Sequence, residues 1–294
     1  MNKFKLLLEL DIQYFAQTKA ADLVDPEVMA VAVSGKLENA IKFRNYADID
    51  RTLVGVPGST ITRPKYGYVG PAVDLQEGVP MDTSKMSMTT TQVTVKETGK
   101  AIEVTETAII TNVGGTVGEA ERQLALAMAD KVETEYIATL ETALQTVAGS
   151  PTTAAKILEG IAVFNSESDL NLVLFINPKD YTKLVGSLLT AGGATQERAI
   201  TTGQVAELVG VNAIERTRRV AEGKGYLQVY ATQEPDQSED QSSAMEIVMK
   251  KDVAVNRDGD ILARTVVIAA NSHYTVNLKN DAGVVKFTGA SGGA

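Results

Sequence analysis

The hydrophobic and polar positions divide the chain into stretches of different period. Between residues 117 and 147, apolar side chains recur every four positions, at Leu124, Met128, Val132, Tyr136, Leu140 and Leu144. An α-helix turns by about 100° per residue, so a strict four-residue stripe drifts by about 40° at each step. The pattern predicts a long helix over residues 117–147, ended by a Gly-Ser-Pro sequence, whose apolar face spirals past several different neighbours.

A period of two replaces the helical pattern before this helix. Residues 59–62 and 91–96 are rich in β-branched side chains, and the second stretch alternates between apolar and polar positions, as strands do. Between them lie the dipeptides Gly70-Pro71 and Val79-Pro80, followed by a polar run over residues 81–90. We predict a two-stranded finger over residues 56–104 with an irregular tip. Because an isolated hairpin is marginally stable in water, the finger is expected to find a partner outside its own chain.

The rest of the chain falls into three parts. Residues 1–55 have scattered apolar positions and predict an arm that is either disordered or lies across a neighbouring domain or subunit. Residues 151–230 alternate between helical and strand patterns, which indicates a compact α/β layer unit. Residues 245–287 read as consecutive strands, with turns predicted at 258–260 and 280–283.

Composition and charge narrow the possible functions. The chain has 294 residues, a net charge of −9 and no cysteine. Without cysteine, neither a disulfide nor a thiolate site can form, and packing alone must hold the fold in a reducing compartment. No basic stripe is present, so if the protein encloses DNA we expect it to confine the polymer without gripping it. No run of about 20 apolar residues predicts a membrane span, and the protein is expected to be made inside the cell.

Candidate catalytic chemistry is sparse. His273 is the only histidine, and a strand histidine satisfied by hydrogen bonds explains it better than a catalytic triad does. A glycine-rich turn at 114–118 lacks the lysine and hydroxyl residue of a phosphate-binding loop. Residues 256–260 lack the late bidentate glutamate of a calcium loop. We therefore expect neither a cofactor nor a metal, and no enzyme activity.

The ordered set of short motifs resembles one family. The chain is similar to the major capsid proteins of tailed bacteriophages with the Hong Kong 97-type fold, in the branch common among phages of Gram-positive bacteria. The motifs are residues 1–5 (MNKFK), 13–16 (QYFA), 18–28 (TKAADLVDPEV), 57–61 (PGSTI), 64–66 (PKY) and 270–274 (ANSHY). Residues 6–12 look longer than the family's usual leader.

The resemblance implies an α+β fold with four parts. Residues 1–55 would be the N-terminal arm and 56–104 the extended E-loop. Residues 105–150 and 245–288 would form the peripheral domain with its spine helix, and 151–244 the axial domain. It also implies assembly of hexamers and pentamers into an icosahedral shell around double-stranded DNA. The partners would be other copies, a separate scaffolding protein, a portal and head-completion proteins, in a virion assembled in the bacterial cytoplasm.

The predicted finger tip carries the candidate contact residues. Residues 70–90 have too much apolar side chain for a free loop, and flexible Met side chains fill irregular gaps between moving subunits. Lys85 lies where some relatives cross-link a lysine to a neighbour's asparagine, but no matching motif surrounds it or Asn271. We predict an intersubunit clasp rather than a solvated loop, formed by Val73, Leu75, Met81, Lys85, Met86 and Met88.

Two other classes of function stay open at this stage. Another phage structural component, such as a tail-tube or decoration protein, would also self-assemble, but such proteins usually lack a long spine helix. A small-molecule enzyme built on residues 151–230 would need a pocket with convergent polar groups, and that unit offers no cofactor fingerprint.

Overall fold

The structure is a computed structural model of the chain, and it combines helices with three separate β-sheets in an α+β arrangement. It describes residues 33, 36–37, 41–66, 74, 83, 85–111, 116–167, 169–190, 205–231 and 242–289. The predicted leader, most of the finger tip and the glycine-rich turn at 114–115 lie outside these residues.

A four-stranded sheet forms one layer of the body. Its strands are β1 (Asp48–Asp50), β4 (Lys96–Thr105), β9 (Met245–Asp260) and β10 (Thr265–Leu278), in the order β1-β9-β10-β4. Strand β1 runs parallel to β9, and the other pairs are antiparallel. The β9–β10 turn lies at 261–264 and not at the predicted 258–260, because the ladder of the two strands continues to Asp260.

A five-stranded sheet forms the second unit, in the order β5-β11-β8-β6-β7. Its strands are β5 (Gln145–Val147), β6 (Leu172–Ile176), β7 (Ala213–Arg216), β8 (Gly225–Val229) and β11 (Val284–Phe287). The helices of this unit are α3 (Ala154–Val163), α4 (Pro178–Thr190) and the short α5 (Val205–Leu208). Strand and helix types therefore alternate as predicted. Strands β5 and β11 lie in this sheet although the predicted boundaries assign both segments to the peripheral domain, because β11 pairs with β8 and β5 pairs with β11.

The predicted finger is present as an antiparallel pair, β2 (Thr60–Tyr66) and β3 (Met88–Thr94). Only Val95 separates β3 from β4, so residues 88–105 form a nearly continuous strand. The β4 part of this strand pairs with β10 in the body. The finger is therefore shorter than the predicted 56–104, since residues 96–105 belong to the four-stranded sheet.

The short helix α1 (Glu106–Thr111) precedes the long helix α2 (Thr116–Leu140). The presence of α2 confirms the long helix that the spiralling apolar stripe predicted. Its buried residues in the first half pack under the four-stranded sheet, and those in the second half join the core against the five-stranded sheet. The helix ends at Leu140, earlier than predicted, and Leu144 is 78% exposed. Pairing of β5 with β11 extends the chain there and overrides the helical period.

The end of the predicted arm belongs to the body. Val33 and Leu37 are buried against the first half of α2, and Lys36 forms an ion pair of 2.8 Å with Glu121. A 3-10 helix at Lys42–Tyr46 places Phe43 in the core, where its ring packs edge-on against Phe175 with centroids 4.9 Å apart. The described part of the arm therefore packs against the body of its own chain.

A buried polar joint connects these layers. The Gln228 side chain of β8 is fully buried; its Oε1 accepts a hydrogen bond of 2.7 Å from the Tyr136 hydroxyl of α2, and its Nε2 donates one of 2.6 Å to the Tyr46 carbonyl. Burial raises the pKa of Tyr136, which keeps its hydroxyl protonated as a donor. Helix α2, the 3-10 helix and the five-stranded sheet thus meet at one side chain.

Two helical glycines provide a matched test of the core. A Cβ at Gly160 of α3 would lie 2.6 Å from Phe287 Cζ and 2.8 Å from Leu227 Cδ1, whereas a Cβ at Gly186 of α4 would meet nothing within 4 Å. We expect Gly160→Ala to lower the free energy of unfolding by about 1–3 kcal/mol through overpacking. Gly186→Ala should raise it by about 0.5–1 kcal/mol because alanine favours the helix. Urea unfolding followed by circular dichroism measures both, and equal effects of the two substitutions would contradict this packing.

Candidate intersubunit surfaces

The finger exposes most of its surface. In β3 only Val93 is buried, and the backbone ladder of the finger joins β2 and β3 only to each other among the named strands. Met86 is 60% exposed and Met88 55%, and Lys85 is also exposed. The other predicted clasp residues, Val73, Leu75 and Met81, lie outside the described residues. The clasp therefore stays a prediction, resting on two large exposed apolar side chains.

The root of the finger is attached to the body by an ion-pair network. Arg63 of β2 donates to a carboxylate oxygen of Asp50 in β1 and, at 3.0 Å, to Glu246 of β9. Glu246 is only 2% exposed, and its other oxygen accepts a hydrogen bond of 2.8 Å from Asn277. A buried carboxylate is costly unless it is paired, so Arg63 is the group that makes Glu246 tolerable at this position.

Asp50 completes the network from the edge of the four-stranded sheet. Burial raises the pKa of Asp50, but the hydrogen bond from the Thr52 amide and the charge of Arg63 outweigh that effect and lower it below the usual value. Asp50 is therefore held as a carboxylate beside the guanidinium. This network was not predicted from the sequence, because its members are distant along the chain and share no motif.

A second exposed apolar surface lies at the β9–β10 turn. Ile261 is 89% exposed and Leu262 is 96% exposed. The turn is held in one conformation, since the Asp260 carboxylate accepts hydrogen bonds from the amides of Leu262 and Ala263 at 2.8 and 3.0 Å. Large aliphatic side chains fixed in solvent are unfavourable in a monomer and indicate a contact with another molecule.

Among the positions considered for chemistry, the structure describes His273. His273 lies in β10, as predicted, and its Nε2 is 3.8 Å from a Glu97 oxygen. Its Nδ1 is buried without a hydrogen-bond partner among the described residues, so the expected full hydrogen bonding is not found. Within the described ranges, no cluster of three His, Cys, Asp or Glu side chains could hold a metal ion. No helix in the same ranges is both long and apolar enough to cross a bilayer.

The finger root can be tested against a matched ion pair. Arg63→Met should lower the free energy of unfolding by about 3 kcal/mol, because it leaves the buried Glu246 carboxylate without its cation. Arg51 pairs with Asp252 at 3.5 Å, and both side chains are about half exposed. Arg51→Met should therefore cost less than about 1 kcal/mol. Urea unfolding measures both, and a similar cost for the two variants would show that Arg63 does not stabilise a buried charge.

Comparison with known proteins agrees with this architecture. A family model described as phage capsid protein matches residues 88–287, more than half of the chain. The major capsid protein of Staphylococcus phage phiMR11 is 29% identical over 278 residues, which cover 94% of this chain and 97% of that protein.

Solved capsid structures share the fold at low sequence identity. The mature capsid of bacteriophage PhiM1 has a TM-score of 0.63 at 13% identity, covering 86% of this chain and 87% of that one. The structure from Mycobacterium phage Che8 has a TM-score of 0.62 at 17% identity, covering 82% and 89%. A virus-like particle from Pyrococcus furiosus has a TM-score of 0.59 at 13% identity, covering 89% and 98%. The chain therefore belongs to the phage capsid protein family, with the Hong Kong 97-type fold and the major capsid role that the sequence predicted.

Proposed function

We propose that the chain assembles with copies of itself into hexamers and pentamers, which close into an icosahedral shell around double-stranded phage DNA. The observation that carries the proposal is the pair of exposed apolar surfaces at the finger and at the β9–β10 turn. Met86, Met88, Ile261 and Leu262 are each more than half exposed. Contacts between copies would cover these side chains and supply the apolar burial that they lack in the monomer.

The parts of the chain take the following roles in this proposal. The finger is the E-loop, α2 is the spine helix of the peripheral domain, and the five-stranded sheet with its helices is the axial domain. Residues 1–55 form the N-terminal arm, although its described end packs on α2 of the same chain. Relative to the boundaries read from the sequence, this assignment adds β5 and β11 to the axial sheet, and β1 and β4 to the peripheral one.

The same proposal assigns the other partners by function. A separate scaffolding protein would direct assembly in the host cytoplasm, and a portal and head-completion proteins would occupy the finished head. DNA would be enclosed without sequence-specific binding, since the net charge of −9 opposes tight attraction to phosphate. The role is structural rather than enzymatic.

The finger tip is proposed to be the clasp between copies. Its exposed methionines are flexible and fit against irregular apolar surfaces. Lys85 stands next to them and would line the same contact, together with Val73, Leu75 and Met81. The clasp would be formed only after assembly, so its residues should affect the shell and not the folding of the monomer.

The clasp is tested by adding charge at two exposed positions. Met86→Asp combined with Met88→Asp should change the monomer's unfolding temperature little, because both side chains are already in solvent. The same variant should produce fragile shells or none, as seen by electron microscopy and by heat treatment of particles.

The control adds two charges without removing an apolar contact. Ser87 and Thr90 are exposed polar neighbours on the same segment, and Ser87→Asp with Thr90→Asp should disturb assembly much less. Intact, heat-resistant shells from the methionine variant would reject the clasp, while closed shells from the unaltered chain would still support the capsid role. Failure of the unaltered chain to assemble with its scaffold would reject the capsid proposal itself.

A further inference from the structure

One end of the five-stranded sheet carries two arginines with exposed side chains. Strand β7 ends at Arg216, and Arg218 follows after the buried Thr217, whose amide still donates to the Ile176 carbonyl at 3.0 Å. Both arginines are exposed. Arg216 lies over the Tyr181 ring at 5.0 Å, and in the described part of the chain no carboxylate forms a salt bridge with either.

The neighbouring Arg219, by contrast, is paired with carboxylates of its own chain. Its guanidinium forms ion pairs with Asp130 and Glu133 of α2. A cleft lined by Arg216, Arg218, Arg219 and Lys42 surrounds these two carboxylates, so cations exceed anions at this end. This local excess of positive charge is unusual in a chain with a net charge of −9, and it indicates a surface that binds an acidic partner.

The opposite end of the same two strands is acidic. Strands β6 and β7 are parallel, and the Asn212 amide donates to the Leu172 carbonyl at 2.9 Å where both strands begin. A cleft at this end is lined by Asp169 and Glu207, together with Ile161, Phe164 and Leu170. Glu167 is exposed beside it, and the nearby Leu158 side chain is 53% exposed. The acidic end thus combines carboxylates with uncovered apolar surface.

We propose that these two ends bind each other between copies, with the Arg216–Arg218 end of one axial unit against the Asp169–Glu207 cleft of the next. The inference rests on the proposed function, because it describes the contact that would close the hexamers and pentamers. The two ends are about 16 Å apart along a five-residue strand, so each unit offers complementary surfaces on opposite sides. A contact between two different surfaces repeats from copy to copy, and it closes into a ring when the rotation between neighbours divides a full turn.

A second copy fits the arginines better than DNA does. Phosphate binding is typically built from a broad basic stripe, whereas this cleft places Asp130 and Glu133 among its cations, in a chain with a net charge of −9. The opposite cleft is lined by carboxylates, and complementary charges steer association and fix its register. DNA binding by Arg216 and Arg218 would instead leave shell assembly intact when their charge is reversed.

A twofold pairing along the free edge of β7 would also bring opposite charges together, but it closes as a dimer. The two arrangements therefore differ in the size of the complex that they form. Six or five copies meeting end to end form rings, while edge-to-edge pairing stops at two copies. Counting subunits distinguishes them.

The test uses the full chain with two reversed variants, assembled with its scaffold where one is required. The basic variant is Arg216→Glu with Arg218→Glu, and the acidic variant is Asp169→Lys with Glu207→Lys. We expect each alone to fold but to lose rings and shells, as measured by native mass spectrometry and electron microscopy. Arg216→Lys with Arg218→Lys keeps the charge and should still assemble. Combining all four reversals in one chain restores complementarity at unchanged net charge, and rings and shells should return.

Mixing the two reversed variants gives the sharpest outcome. Each contact is then complementary only between unlike chains, so the two must alternate around a ring. Alternation is possible with six members and impossible with five. We expect mixed hexamers with equal numbers of each chain, no pentamers, and open sheets or tubes in place of closed shells.

Each result decides between the interpretations. Normal shells from either reversed variant, or no recovery in the fourfold variant, would overturn the inference while leaving the capsid role supported by the unaltered chain. Mixed pentamers would overturn the head-to-tail contact, and so would a mixture that stops at dimers. Shells that assemble normally but package less DNA after reversal of the arginines would assign them to DNA.

Discussion

The buried hydrogen bonds of Gln228 are the constraint on which the rest of the structure depends. A buried amide that loses one of its partners costs about 1–3 kcal/mol, so the side chain fixes whatever supplies them. Its partners come from α2 and from the segment before β1, and Gln228 itself stands in the five-stranded sheet. The five-stranded sheet can therefore move relative to α2 and the 3-10 helix only by giving up these bonds. Apolar packing around Phe43 and Phe175 would tolerate small shifts, whereas the amide specifies one arrangement.

A protein that assembles must separate the groups that fold it from the groups that join it. Here the finger root is held by Arg63 against a buried carboxylate, while the finger itself exposes its apolar side chains. The β9–β10 turn follows the same principle, since Asp260 fixes the backbone of the turn and leaves Ile261 and Leu262 in solvent. Rigid presentation lowers the entropy that is lost when such a surface binds.

The sequence predicted what depends on local period, and it failed where distant segments pair. The stripe on α2, the finger strands and the alternation in residues 151–230 follow from side chains that are close in sequence. The predicted end of α2 was wrong because β5 pairs with β11, about 140 residues away in the sequence. The burial of Phe43 and the Arg63 network were missed for the same reason. The family was recognisable from short motifs in order, although the contacts between copies leave no such pattern in a single chain.

The nearly continuous course of residues 88–105 has a mechanical consequence. The same strand forms seven pairs with β2 in the finger and ten pairs with β10 in the body. A pull on the finger along its axis therefore reaches the body without passing through a flexible loop. Because that pull is parallel to the strand, all ten pairs with β10 share the load instead of opening one after another. In the proposed shell, this strand would transmit force from a contact at the finger into the four-stranded sheet.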